Sequence, residues 1–96
     1  KLQIDTEHYE VRKGGETLVL PRKEFQLLTL LYSNPGKLFT REEIYQSVWG
    51  NKVIVGDRTI DVHIRKLRQK IGDNHIVTVK GIGYKYEEDQ AEQTEE

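Results

Sequence analysis

The 96 residues carry 15 Lys plus Arg against 16 Asp plus Glu, for a formal charge of −1, and this length suits one domain with a single modest core. The absence of cysteine excludes a disulfide framework, thiolate zinc ligation and thiol redox chemistry, and fits a reducing cytoplasm. No run approaches the roughly eighteen apolar residues of a membrane span, so a soluble cytoplasmic protein without a membrane partner is expected.

The near-neutral charge averages two unlike pieces. The tail EEDQAEQTEE, residues 87–96, holds six of the sixteen carboxylates, which leaves residues 1–86 with fifteen cations against ten carboxylates; between Arg58 and Tyr86 there are seven cations and two carboxylates. A basic, partner-facing surface is therefore expected in the C-terminal third. The chain has no methionine and opens on what reads as a strand, which suggests a piece of a longer polypeptide.

In chain order, KLQIDTEHYEVRKGGETLVL alternates apolar and polar residues at Leu2/Ile4, Tyr9/Val11 and Leu18/Leu20, with turn chemistry at Gly14-Gly15. This predicts a strand followed by a hairpin, one face covered and one wet. From Pro21 the period changes: Phe25, Leu28, Leu31 and Tyr32 recur at helical spacing, Pro21 suits the first turn, and Asn34-Pro35-Gly36 stops the helix. Thr40-Arg41-Glu42-Glu43 is a capping box opening a second helix, which runs to Trp49, is ended by Gly50 and turns Ile44 and Val48 inward. NKVIVGD, residues 51–57, is a connection unusually apolar at Val53, Ile54 and Val55, with Asp57 placed to cap a third helix.

That third helix, RTIDVHIRKLRQKIG, rotates by about 100° per residue, which places Ile60, Ile64, Leu67 and Ile71 on one stripe and gathers Arg58, Val62, Arg65, Lys66 and Gln69 opposite. IVTVKGIGYKYE reads as a hairpin with Gly81 and Gly83 supplying the tight connection, and the acidic tail is expected to be disordered. The fold class is α+β: a winged helix-turn-helix over residues 1–86, with an N-terminal antiparallel sheet, three helices and a C-terminal β-hairpin wing.

A charged face opposite an apolar stripe is the ordinary condition of a surface helix. Two details favour a nucleic-acid groove instead of bulk water. The third helix has a single carboxylate, Asp61, near its start, where a solvated face would intersperse more; and Val62, in the middle of the cationic strip, suits a thymine methyl. Lys80 between Val79 and Gly81 reads either as a plain tight turn or as a long cation for a minor groove. The hairpin lacks the third glycine and the strand-to-helix context of a dinucleotide fingerprint. His63 lies at the flank of the third helix, and His8 and His75 have no partner at metal-ligand spacing, so no metal is expected. Trp49 and Tyr84 read first as core or core edge and second as phosphate donors. Capping and the helix dipole account for Glu42 and Glu43, so no enzyme and no cofactor is expected.

Taken together, EFQLL, NPGKLFTREEIYQSVWG, DRTIDVHIRKLRQKIG and TVKGIGYKY resemble the DNA-binding effector domain of OmpR/PhoB-type response regulators, from Leu2 to Tyr86. The resemblance implies sequence-specific binding of double-stranded DNA at tandem direct repeats, to regulate transcription. It also implies a receiver domain in the same full-length chain, phosphorylated on aspartate by a sensor histidine kinase. By position it implies base or nearby phosphate contacts for Val62, Lys66 and Arg68, and backbone contacts for Arg58, Thr59, His63 and Arg65. Thr78 and Lys80 fall on the wing, with Lys80 in the minor groove, and Trp49 and Tyr84 match phosphate-contacting aromatics. Asn51, Lys52, Val53, Ile54, Val55 and Gly56 match a loop that touches RNA polymerase in some members. Two departures stand out: Pro21 replaces a common threonine, and the acidic tail has no family role. The alternative from another class is a winged helix used purely for protein contact, docking through Val53-Ile54-Val55; salt-dependent duplex binding separates the two. An enzyme is a distant third.

Overall fold

The computed structural model describes residues 2–50 and 58–88. The expected Asp57 cap, the 51–57 connection and the tail from residue 89 onward lie outside the described residues. Three strands, β1 (Leu2–Asp5), β2 (Glu10–Lys13) and β3 (Glu16–Leu18), precede helix α1 (Arg22–Tyr32). The two-residue strand β4 (Phe39–Thr40) leads into α2 (Arg41–Val48), and α3 (Arg58–Ile71) is followed by β5 (Ile76–Val79) and β6 (Gly83–Tyr86).

β1, β2 and β3 form an antiparallel meander in which Ile4 faces Val11 and Val11 faces Leu18. The alternation is expressed as expected at Leu2 and Val11, which are buried. Tyr9 departs from it. It lies outside β2, in a left-handed conformation at φ 55°, and its ring stacks on Phe25 at 4.8 Å. The cause is Asp5, whose carboxylate accepts the backbone N–H groups of Glu7 (3.0 Å) and His8 (3.2 Å) and so turns the chain at the end of β1.

Pro21 stands at the N-cap position of α1, one residue before the expected first turn, and its carbonyl accepts the Phe25 N–H at 2.9 Å. Its ring fixes φ near the helical value but offers no side-chain oxygen, and α1 has no side-chain cap. α1 buries Glu24, Phe25, Leu27, Leu28 and Leu31 and closes at Ser33, just before Asn34-Pro35-Gly36. The capping box is present in full: Glu43 N–H donates to Thr40 Oγ1 at 3.1 Å, and Thr40 N–H to Glu43 Oε1 at 2.9 Å. α2 ends at Val48 with Trp49 as its C-cap, and Gly50 follows at φ 86°.

Strand β4 was not expected from the sequence, and it changes the role of one glycine. β4 pairs with β6, Phe39 facing Tyr84 and Thr40 facing Gly83, and β6 pairs in turn with β5. Gly83 is therefore a strand residue, not part of the turn. A Cβ there would lie 2.0 Å from the Phe39 carbonyl oxygen. The turn itself is Lys80-Gly81-Ile82, closed by Ile82 N–H donating to Val79 O at 2.9 Å, with Gly81 at φ 79°.

The core gathers Leu27, Leu28 and Leu31 of α1, Ile44 of α2, the expected stripe Ile60, Ile64, Leu67 and Ile71 of α3, and Ile76, Tyr84 and Tyr86 of the hairpin. Each fully buried aliphatic contributes about 2 kcal/mol, so the α3 stripe outweighs any surface pair the helix makes. Gly83→Ala should lower stability by about 3 kcal/mol, the upper end for overpacking because a backbone carbonyl has little room to yield. Gly81→Ala meets no atom within 4 Å and should cost about 1 kcal/mol, from positive-φ strain alone. Urea denaturation measures both; equal effects would contradict the close approach of β4 and β6.

Candidate nucleic-acid interface

The outer face of α3 follows from the burial of its inner one. Opposite the buried stripe, Arg65, Lys66 and Gln69 are exposed and Val62 is 40% exposed. The side chain of Arg58 lies outside the described residues. The one carboxylate of the helix is engaged by neighbouring elements: Asp61 pairs with Arg41 Nη2 at 2.9 Å and accepts a hydrogen bond from the Tyr84 hydroxyl. Negative charge on α3 is thereby held by α2 and the wing.

The other two cations of α3 have partners inside the domain. Lys70 Nζ reaches Glu24 Oε1 of α1 at 2.7 Å, and Glu24 is buried. Arg68 Nη2 donates to the Ile76 carbonyl at 2.7 Å and to Thr78 Oγ1 at 2.8 Å, both on β5. Both residues lie in the last turn of α3, where the helix dipole favours positive charge. Glu24 was not singled out from the sequence. The available signal was its spacing, three and four residues before Leu27 and Leu28, on the buried side of α1.

The flank of α3 is ordered by aromatic contacts. His63 Nδ1 lies 2.8 Å from the Thr59 carbonyl; a carbonyl can only accept, so Nδ1 carries the hydrogen. The imidazole meets the half-buried Trp49 edge-on at 5.1 Å. Lys23 lies 5.9 Å from the Trp49 ring centre and donates to Val48 O at 2.8 Å, satisfying a carbonyl at the C-terminus of α2. Tyr84 is buried at the foot of the wing, with Arg41 over its ring at 5.7 Å. Burial first, and the bond to Asp61 second, push its hydroxyl above the ordinary tyrosine range. Burial likewise raises the Tyr86 hydroxyl.

At the wing, Thr78, Lys80 and Ile82 are exposed. The sequence-predicted residues thus divide. Val62, Arg65, Lys66, Thr78 and Lys80 stand outward. Thr59, His63 and Trp49 are half-buried beside them, Arg68 and Tyr84 are engaged inside the domain, and residues 51–56 lie outside the described ones.

Away from this surface, the structure gives His8 the neighbours that its sequence spacing did not suggest. Asp5, Glu7 and His8 bring one ligand atom each to within 4.8 Å of one another. The Asp5 carboxylate is already committed to closing the β1 turn, and its Oδ2 meets His8 Nδ1 at 2.8 Å. That side-chain bond raises the His8 pKa and lowers that of Asp5. Among the described residues, no helix is long and apolar enough to cross a membrane.

Comparison with known proteins is consistent across sequence and structure. The profile of the family described as "Transcriptional regulatory protein, C terminal" matches residues 15–86. The chain is 47% identical over 90 residues to the uncharacterized transcriptional regulatory protein YcbL of Bacillus subtilis, covering 88% of this chain and 40% of that one. It superposes on the Thermotoga maritima response regulator DrrB, an OmpR/PhoB homolog, with a TM-score of 0.84 at 34% identity, covering 91% of this chain and 42% of the other. The Klebsiella pneumoniae RstA DNA-binding domain, solved in complex with the RstA box, gives a TM-score of 0.81 at 32% identity, with 90% of each chain covered. The chain spans about 40% of the length of the curated relatives it matches.

Lys70→Ala should leave Glu24 buried without its counterion, at a cost of about 2 kcal/mol. That is less than for a fully buried pair, because the Lys70 side chain is 37% exposed. Lys66→Ala, at an exposed site, should change stability by less than about 0.5 kcal/mol. Replacing both partners, Glu24→Leu with Lys70→Met, should recover most of the loss. Chemical denaturation of the variants checks this; a Lys70 effect no larger than that of Lys66 would show that the pair holds nothing.

Proposed function

Because the chain belongs to the family of C-terminal domains of transcriptional regulatory proteins, we propose that it binds double-stranded DNA sequence-specifically to regulate transcription, with α3 in the major groove and the wing in the minor groove. The observation that carries this reading is the outward strip of α3. Arg65 and Lys66 flank the exposed Val62, while the helix's one carboxylate is held by Arg41 and Tyr84. A cationic strip with an apolar residue at its centre suits phosphates at its edges and a base edge between them.

On this reading Val62 and Lys66 face bases, and Arg58, Thr59, His63 and Arg65 approach the backbone. Lys80 enters the minor groove with Thr78 beside it. Trp49, half-buried at the flank of α3, offers its indole N–H to a phosphate. Tyr84 matches a phosphate-contacting position by resemblance, but its hydroxyl hydrogen is engaged by Asp61, so its part is to hold the wing.

For the whole protein, the proposal extends to a cytoplasmic response regulator with a receiver domain in the remaining length, phosphorylated by a sensor histidine kinase, and occupying tandem direct repeats. RNA polymerase contact falls to Asn51, Lys52, Val53, Ile54, Val55 and Gly56, on the strength of three aliphatic residues in a connecting segment.

Salt titration of duplex binding tests the core of this reading. If Arg58, Arg65, Lys66 and Lys80 each neutralise about one phosphate, log K should fall against log salt with a slope of roughly −4. Arg65→Ala should weaken all sequences about equally, whereas Val62→Ala and Lys66→Ala should each cost roughly 1 to 3 kcal/mol on the preferred site and little elsewhere. A flat salt response, or a uniform loss with Lys66→Ala, would sink the assignment.

A further inference from the structure

Arg68 stands, by resemblance, at a position that approaches bases or nearby phosphates, yet its guanidinium is turned along the domain. Nη2 donates to the Ile76 carbonyl at 2.7 Å and to Thr78 Oγ1 at 2.8 Å, which occupies both hydrogens of that nitrogen. The same helix makes a second link to the wing. Asp61, on α3, accepts from the Tyr84 hydroxyl on β6, and Thr78 and Tyr84 are direct partners in the β5–β6 ladder. Asp61 and Arg68 lie about two helical turns, or roughly 10 Å, apart along the axis. α3 therefore grips each strand of the hairpin at a separate point. A single contact would let the hairpin pivot; two separated ones fix its angle. Arg41 braces the first grip from α2, 2.9 Å from Asp61.

We propose that Arg68 is a positioning residue: together with Asp61 it sets the angle of the wing to α3, and so determines which base-pair step Lys80 meets relative to the major-groove site, instead of neutralising a phosphate. This rests on the DNA-binding reading above. Lys80 and Gly81 are in the turn directly beyond β5, so a change in how β5 is held moves the wing tip.

The test uses this chain and a preferred duplex selected from a random library. Binding is measured against duplexes altered from A·T to G·C at the wing step, and against duplexes mismatched in the major groove. Arg68→Ala should reduce discrimination at the wing step to about twofold or less while major-groove penalties stay within about twofold of the parent. The salt slope should be unchanged, since no phosphate contact is lost. Arg68→Lys should not rescue, because an ammonium on a shorter stem does not reproduce the planar guanidinium. In the DNA-free protein, residual dipolar couplings should report a changed angle between α3 and the hairpin. A slope shallower by about 0.9 with wing discrimination retained would mark a phosphate contact and overturn the proposal, as would full rescue by lysine or an unchanged wing angle. Should Arg68→Ala fail to fold, Thr78→Val removes one of the two bonds and is read by the angle between α3 and the hairpin in the DNA-free protein, which loss of a DNA contact at Thr78 would not move: a changed angle supports the proposal and the parental angle overturns it. A parent whose binding ignores salt overturns the DNA-binding reading itself, and this one with it; a parent that binds with the expected slope isolates the Arg68 result.

Discussion

The burial of one stripe of α3 is the constraint on which the rest depends. Ile60, Ile64, Leu67 and Ile71 are buried in the same core as Leu27, Leu28 and Leu31 of α1 and Ile76 of β5. Side chains on a helix are fixed in angle relative to one another, so burying this stripe leaves Val62, Arg65 and Lys66 no direction but outward. The candidate interface is thus a consequence of the core. A rotation of α3 that withdrew Lys66 from the surface would expose Ile64 or Leu67, and each such residue represents about 2 kcal/mol of burial. The rotation of the helix is fixed by the apolar contacts. Its position along its axis has a separate marker, the bond from Lys70 to buried Glu24 at 2.7 Å.

The polar links act on a different quantity. An exposed ion pair such as Arg41–Asp61 contributes about 1 kcal/mol or less, well below the apolar stripe, so such links do not decide whether the domain folds. They are directional, however, and apolar contacts are not. Lys23 on the Val48 carbonyl ties α1 to the end of α2, Arg41 on Asp61 ties α2 to α3, and Tyr84 and Arg68 tie the wing to α3. Each link joins two elements at a defined point. They also sort the cations of the chain. Lys23, Arg41, Arg68 and Lys70 have partners within the domain, while Arg65, Lys66 and Lys80 remain exposed.

What could be read from the sequence follows the same division. The α3 stripe, the capping box and the hairpin strands were legible because each is specified by residues close together in the chain. Phe39–Thr40 was not legible as a strand: two residues have no period, and the pairing is made with β6, far along the sequence. The role of Gly83 was hidden for the same reason, since its need for a missing Cβ comes from the Phe39 carbonyl and not from a turn. Tyr9 joined an alternation that Asp5 interrupts, because a side-chain-closed turn can hide inside an apolar-polar pattern. At the candidate site, Val62, Arg65 and Lys66 were visible from helical arithmetic as outward residues. The same arithmetic sets Arg68 and Lys70 on the flanks of the buried stripe, apart from Arg65 and Lys66. Their partners Ile76, Thr78 and Glu24 were not legible, because only the folded chain brings them together.

On the proposed reading α3 and the wing enter two grooves and must be held at a fixed relation, and the two kinds of force are suited to different halves of that task. Non-directional burial can choose which face of a helix looks out, but it tolerates small changes of tilt, because neighbouring apolar surfaces stay in contact as they slide. A hairpin wing reaches beyond the core, and Lys80 lies past the last paired residues of β5 and β6. A small change of tilt at its base becomes a larger displacement at its tip. Holding the base by hydrogen bonds to Ile76, Thr78 and Tyr84, one on each side of the ladder and the third beside it along β5, restrains the degree of freedom that packing leaves loose. The polar residues nearest the interface therefore need not touch the partner to affect how it is read: on the proposal above, Asp61 and Arg68 set where Lys80, the exposed cation of the wing, arrives.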